Sequence, residues 1–468
     1  MRIARRAFWS RRHGQLGGIA SDRISANDAT TLATDRGPAP MNIGVILTLE
    51  LGSDLPFPAL RALLDSRLPT VRRLRQRLHD TPLGCGRAVW VDDAAFDIRR
   101  HLSRLVVASG GRDQLLAAAA TLVCTPLPRD RPLWAARWVV GLDDDAGALI
   151  LVMHHSLTDG LGGLAVLAAL CDEAAPGLGV GALRAPSPAP ARTHDPFPQP
   201  PPGRGGLLAD VWRTRLASLR SAPTTARAAA SGMRELTGGG LRWRLAGRTS
   251  LLHPTGPDRR LTSVSVVLAD VVAAAHARGV TVNDVVLGAV AGAMGALVRS
   301  RGEHLAVLVA SSPVAAPGAR SPARLGNETG VMAIPLPLLD DADERLRQIT
   351  ALTATRKHAK RGASAGPLGV VFRALATVGL FQKAIDHQRL VHTFVTNVRG
   401  PGQPWSLAGL RIATVDPMAI TPGNVGVSFD VLSYAGRLVV TLVADPLVVP
   451  EQASLTAGLL RELTRFDV

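Results

Sequence analysis

Lysine is almost missing from this 468-residue chain. Lys357, Lys360 and Lys383 are the only three, and arginine supplies the rest of its 53 basic residues. Cysteine is nearly as scarce: Cys85, Cys124 and Cys171 form no CxxC pair and leave one over under any pairing. Neither a disulfide framework nor a cysteine zinc site is indicated, and a reducing compartment is expected. Phe, Trp and Tyr total 4%, with Tyr434 the single tyrosine. The interleaved aromatics on which bases stack are therefore lacking, and the net charge of +16 does not imply nucleic acid. An arginine bias alongside abundant Ala and Gly fits a GC-rich coding sequence, and an anionic membrane surface or a phosphorylated ligand suits the charge equally well. The most apolar runs, Ala148 to Met153 and Val285 to Val298, fall short of the roughly 18 residues of a membrane span. The first 21 residues hold five arginines and no acid, but lack the apolar core and cleavage site of a secretory signal. They read as a frayed basic terminus or an interfacial anchor.

Apolar residues make up 47% and charged residues 19%, enough hydrophobic material for a substantial core. At roughly 100 to 200 residues per domain, two or three domains are expected. Prolines crowd the segment from Pro176 to Pro202, which reads as an extended linker. Basic helical segments at Leu207 to Arg220 and Thr224 to Leu236 and a glycine run at 238–240 follow it. The expected division is a basic extension over 1–20, an N-terminal domain over 21–180, a connector over 181–255 and a C-terminal domain over 256–468.

Both halves mix strand and helix periodicities. The first has strand-like runs at Ile43 to Leu51, Trp134 to Leu142 and Ala148 to His154, and helical ones at Leu60 to Leu68, Asp113 to Leu122 and Leu161 to Asp172. The second has strands near Thr262, His304, Val331, His392, Val425 and Leu438, and helices near Val271, Val282, Asp343 and Glu451. The fold class is mixed α/β (α+β), twice over.

The most informative segment is His154-His155-Ser156-Leu157-Thr158-Asp159-Gly160. An apolar strand precedes it and helical spacing begins at Leu161, so the histidines sit where a strand leaves a sheet. An imidazole there can take a proton from an alcohol, because its ordinary pKa of about 6.5 lies close to working pH. Asp159 and Gly160 occupy the turn into the helix, where an aspartate caps free amides and a glycine bends tightly. A metal reading needs a third ligand, and HHxxxD is not the i, i+4 histidine pair of a helical zinc site. No metal is expected.

HHxxxDG in this setting resembles the CoA-dependent acyltransferase superfamily, and the wider sequence is similar to its bacterial wax ester synthase/diacylglycerol acyltransferase branch. The resemblance runs through Ser25-Ala26-Asn27-Asp28, Pro40-Met41-Asn42-Ile43-Gly44, Arg131-Pro132-Leu133-Trp134, Thr281 to Leu287, Leu325-Gly326-Asn327 and Thr396 to Pro401. Thr396 stands where the branch usually has serine, and Arg399 where it usually has proline. The resemblance implies two chloramphenicol-acetyltransferase-like domains with a tunnel between them. It implies His155 as general base with His154 beside it, and Asp159 and Gly160 shaping the loop. Asn283, Asp284 and Asn397 are candidates for substrate, oxyanion or loop contacts.

Blander roles stand beside these. Thr281 and Asp284 match a capping box, Asn397 can satisfy a Gly-Pro turn, and Trp134 and Tyr434 can simply fill the core. Arg356, Lys357, Lys360 and Arg361 end a predicted helix, where cations suit the dipole or bind CoA phosphates. The implied activity moves a long-chain acyl group from acyl-CoA to diacylglycerol or a long-chain alcohol, with no cofactor. The expected setting is cytoplasmic or peripheral at the inner membrane or lipid droplets. The alternatives are a carrier-protein-dependent acyltransferase and a catalytically weak lipid-binding surface protein.

Overall fold

The computed structural model describes residues 22–35, 37–50, 55–143, 146–172, 196–216, 246–315, 325–326, 329–358, 372 and 374–465. The basic extension, the prolines at 186–190, the helix expected at Thr224 to Leu236, the glycine run, Asn327 and the basic side chains at 356–361 lie outside the described residues.

The chain order of the first half is α1 (Ala26–Thr34), β1 (Asn42–Glu50), α2 (Phe57–Arg67), β2 (Gln76–His79), β3 (Val89–Asp92), β4 (Leu102–Gly110), α3 (Arg112–Cys124), β5 (Trp134–Leu142), β6 (Ala146–His154) and α4 (Gly160–Leu170). The second half runs β7 (Arg260–Val267), α5 (Leu268–Ala277), α6 (Val282–Ser300), β8 (Val307–Ala315), β9 (Thr329–Pro337), α7 (Ala342–His358), α8 (Phe381–Asp386), β10 (Thr393–Arg399), β11 (Ser406–Leu407), β12 (Leu410–Ala419), β13 (Val427–Tyr434), β14 (Arg437–Ala444) and α9 (Gln452–Thr464). Two six-stranded sheets form, in the orders β11-β12-β1-β6-β5-β4 and β7-β14-β13-β10-β8-β9, with β2 and β3 as a separate pair. The sheets do not follow chain order. β11 and β12, which lie within 256–468, complete the sheet of the first half, with β12 antiparallel to β1.

Strand β6 is apolar up to His154 because both of its faces are covered. Leu149, Leu151 and Met153 point into one core with Trp134 and Trp138, while Ala148, Ile150 and Val152 pack under α3 with Leu116 and Ala119. Each of the leucine, isoleucine, valine and methionine side chains contributes about 1.5–3 kcal/mol on full burial. The core under α3 also takes in Leu261 and Val443 of the second sheet, so it joins the two halves. At the same junction, buried Asp416 on β12 accepts hydrogen bonds from Arg112 of α3 at 2.5 Å and Ser263 of β7 at 2.7 Å.

Helix α6 is longer than its apolar run, and by length and composition alone it could cross a membrane. Burial decides otherwise, since the helix is the spine of the second core, packed against α9, α7 and α5. Its start is the expected capping box: Thr281 Oγ1 accepts from Asp284 N, and the Asp284 carboxylate accepts from Thr281 N at 3.0 Å. Tyr434 proves to be a packing residue, its hydroxyl donating to Ile412 O and accepting from Trp405 N. All three cysteines are free thiols.

Candidate active site

Pairing of β1 with β6 places His154 opposite Asn42, at the last position of the strand. His155 then leaves the sheet, its backbone N–H held by Met41 O at 2.8 Å, and Leu157 N donates back to His154 O at 2.8 Å to close a tight turn. Asp159 follows as the N-cap of α4, its carboxylate accepting from Gly162 N at 2.9 Å. The two histidines thus sit on a short loop pinned at both ends.

Their ring nitrogens are used differently. His154 is buried, and its Nδ1 accepts from Ser156 N at 3.1 Å and meets Ser156 Oγ at 2.7 Å. A backbone amide can only donate, so the proton sits on Nε2, which faces the Asp35 carboxylate at 3.0 Å. Asp35 also accepts from Met41 N at 3.0 Å and pairs with Arg129 at 3.1 Å. Burial works against the charge of Asp35, but these partners outweigh it and hold the carboxyl below its ordinary range. A cavity of about 150 Å³ bordered by Asp35, Pro40, Pro126 and Arg129 lies beside this pair.

His155 has the opposite tautomer. Its Nδ1 lies 3.2 Å from Thr158 O, and a carbonyl can only accept, so Nδ1 carries the proton and Nε2 keeps its lone pair. Burial pushes the ring below its ordinary 6.5, and the opposing charge of Asp159 does not overcome it. The ring is therefore neutral near pH 7. The Asp159 carboxylate holds the helix end, and its charge favours the protonated imidazole without overcoming burial.

The second half meets this loop. Gly160 abuts Val398 of β10, and Gly162 abuts Leu325 and Thr158. Asn397, next to Val398, donates to Asn283 Oδ1 at 3.2 Å, so these two candidates form one polar pair across the second domain. Asp284 is different. It is buried in its cap and accepts from Thr353 Oγ1 at 2.7 Å, which gives it a structural role. On β13, opposite Thr396, burial pushes the Asp430 carboxyl up to about 7, although it accepts from Thr396 Oγ1 and Ala419 N. Trp134 fills the core, donating to Leu74 O at 2.8 Å and stacking on His101.

Sequence reasoning missed Asp35, which is 119 residues from His154 and belongs to no recognisable spacing with it. It also passed over Ser156 and Thr158, whose signal was their place inside the motif, and Gly162, whose role appears only when its neighbours are known.

The family model described as the wax ester synthase/diacylglycerol acyltransferase catalytic domain matches residues 24–286, and that of the family's C-terminal domain matches residues 325–466. A Mycobacterium tuberculosis protein named as a diacylglycerol O-acyltransferase is 30% identical over 457 residues, covering 93% of this chain and 95% of the other. A second from the same organism is 29% identical over 465 residues, covering 93% and 88%. Among solved structures, the wax ester synthase/diacylglycerol acyltransferase from Marinobacter aquaeolei VT8 superposes with a TM-score of 0.66 at 21% identity, over 95% of this chain and 98% of that one. The first condensation domain of the calcium-dependent antibiotic synthetase shares the fold at a TM-score of 0.61 and 17% identity, over 96% of both chains. The chain therefore belongs to the wax ester synthase/diacylglycerol acyltransferase family and is an acyltransferase.

Proposed function

We propose that the enzyme moves a long-chain acyl group from acyl-CoA to the free hydroxyl of diacylglycerol, and by the same chemistry to a fatty alcohol, with His155 as general base. One observation carries this reading: Nδ1 of His155 is committed to Thr158 O, which leaves Nε2 as a neutral acceptor. Nε2 takes the hydroxyl proton as the alcohol oxygen bonds to the thioester carbon. The tetrahedral intermediate collapses, the C–S bond breaks, and the proton passes from Nε2 to the departing thiolate of CoA. The oxyanion needs a preorganised donor, for which the Asn283–Asn397 pair and the amides at the start of α4 are the candidates. A thioester is already activated, so the step requires no metal or redox group. A tunnel between the two sheets would bring both substrates to the ring, and the free thiols fit a cytoplasmic setting.

The test is incubation of the purified protein with labelled palmitoyl-CoA and a panel of acceptors, followed by lipid separation. Labelled triacylglycerol is the expected product. Transfer only from an acylated carrier protein would replace CoA as donor, and binding of lipids without any transfer would end the reading.

Asp35 serves as a positioning residue through His154. Asp35→Ala leaves the buried Nε2–H of His154 without its acceptor, a loss of about 1–3 kcal/mol that loosens the loop. A roughly tenfold fall in kcat with KM nearly unchanged is expected. Asp35→Asn, whose amide oxygen can still accept, should recover most of that loss in steady-state kinetics. Equal defects in both variants would assign Asp35 a role through its charge alone.

A further inference from the structure

The helical segment at 204–216 is apolar on two sides, and only one of them is used for packing. On the inner side Leu207 is buried against Cys85, Val89 and Val91, and Val211 abuts Gly86. Arg23 locks this arrangement. Its guanidinium pairs with Asp210 at 2.9 Å and donates to Cys85 O and Arg87 O at 2.7 Å, which clamps the helix onto the loop between β2 and β3. The outer face therefore cannot roll inward without breaking that clamp.

That outer face carries Leu208, Trp212 and Leu216, 41%, 60% and 53% exposed, at the i, i+4, i+8 spacing of a single helical stripe. The tip of the adjoining loop adds Leu83, which is fully exposed. Arg204, Arg213 and Arg215 are exposed on the same helix, and the Arg215 guanidinium lies 5.8 Å from the Trp212 ring. The helix's acid, Asp210, is turned inward to Arg23 at 2.9 Å and lies a looser 3.9 Å from Arg213, and across 76–88 Arg77 and Arg87 outnumber Asp80. An apolar stripe bearing tryptophan and flanked by arginines is how a helix lies in the plane of a lipid interface, rings at headgroup depth and cations against the phosphates. A second copy of the chain is a poor occupant, because it would bring the same arginines against their like.

We propose that the helix at 204–216, with Leu83 beside it, docks the enzyme onto an anionic phospholipid surface. The proposal deepens the lipid-substrate reading and rests on it for its purpose, since both acceptor and product would reside in such a surface. Docking itself is measured without turnover. The full-length protein is floated with vesicles of phosphatidylcholine alone or mixed with phosphatidylglycerol. Binding to the mixed vesicles, weakened by salt, is expected for the unaltered chain. Arg213→Gln with Arg215→Gln should weaken it roughly 30-fold, at the ordinary contribution of a cation near an anionic leaflet. Trp212→Ser with Leu216→Ser should weaken it at least tenfold on both vesicle types. Leu447→Ser, an exposed apolar residue elsewhere, should change nothing. All variants should keep the melting temperature and the acyl transfer to a water-soluble short-chain alcohol, because none of these residues touches the histidine loop. Failure of the unaltered chain to float, or flotation undiminished in both double variants, would overturn the docking surface. A light-scattering mass that halves in the Trp212 variant would assign the face to a second copy instead. A chain that floats but transfers no acyl group would leave docking standing and remove the functional reading; one that transfers without floating would do the reverse.

Discussion

Alanine at His155 is expected to lower turnover by roughly 100-fold or more, the contribution of a positioned general base. The main chain is held by the His155 amide on Met41 O and the ring only by Thr158 O, so removing the ring should leave the strand and helix on either side intact and the variant should fold. The pH profile carries the second half of this expectation. As the proposed base, His155 works only when neutral, and burial has pushed its pKa below 6.5. In the unaltered enzyme kcat/KM should therefore stay level at and above neutral pH and fall as pH drops through the depressed pKa. Residual activity of the alanine variant should lose that acidic limb, because the titrating group is gone. A well-folded His155→Ala enzyme with near-normal turnover would remove the imidazole from the mechanism.

Gly162→Ala should be almost as damaging, for a reason that has nothing to do with helix propensity. Gly162 is the third residue of α4 and its backbone is ordinary helix, where alanine normally stabilises by roughly 1 kcal/mol. Here an added Cβ would come closer than 3.0 Å to Thr158 Oγ1, nearer than real Cβ atoms approach. Thr158 is fully buried and cannot swing into solvent. It must shift, and its carbonyl is the group that orients His155. Displacing a catalytic group by about 1 Å can cost roughly 100-fold in rate. A fall of that order in kcat is expected, with overpacking lowering stability by about 1–3 kcal/mol. Removing the obstructing hydroxyl should restore most of the activity, so Thr158→Ala combined with Gly162→Ala should outperform Gly162→Ala alone. Thr158→Ser, which keeps the oxygen, should give no rescue. Wild-type kinetics in the single variant would show that the loop yields without moving the ring.

Much of the fold was legible where the pattern is local. Trp134 to Leu142 is a strand with the expected ends, and Val282 begins its helix behind the expected Thr281–Asp284 box. Elements without a clean period escaped. Leu102–Gly110 is an edge strand carrying polar residues at Ser103 and Arg104, and Leu410–Ala419 holds Asp416 and Pro417 in mid-strand. The latter has no local signal for its place, because it completes a sheet with β1, β6, β5 and β4, which lie far away in sequence. No rule of spacing joins Leu410–Ala419 to Asn42–Glu50; only the shared core does.

The site divides in the same way. By itself the sequence determined the loop: an apolar strand covered on both faces, two histidines at its end, and an aspartate and glycine turning the chain into a helix. These are matters of near neighbours, and short-range sterics and capping suffice to write them into the order of residues. Only the tertiary structure decided which histidine has a nitrogen to offer. The Asp35 carboxylate accepts a hydrogen bond from one ring and Thr158 O accepts one from the other, so two adjacent and chemically identical side chains differ in which nitrogen keeps its lone pair. Tautomers follow hydrogen-bond partners, and the partner that settles His154 comes from a distant part of the chain, brought there by the pairing of β1 with β6.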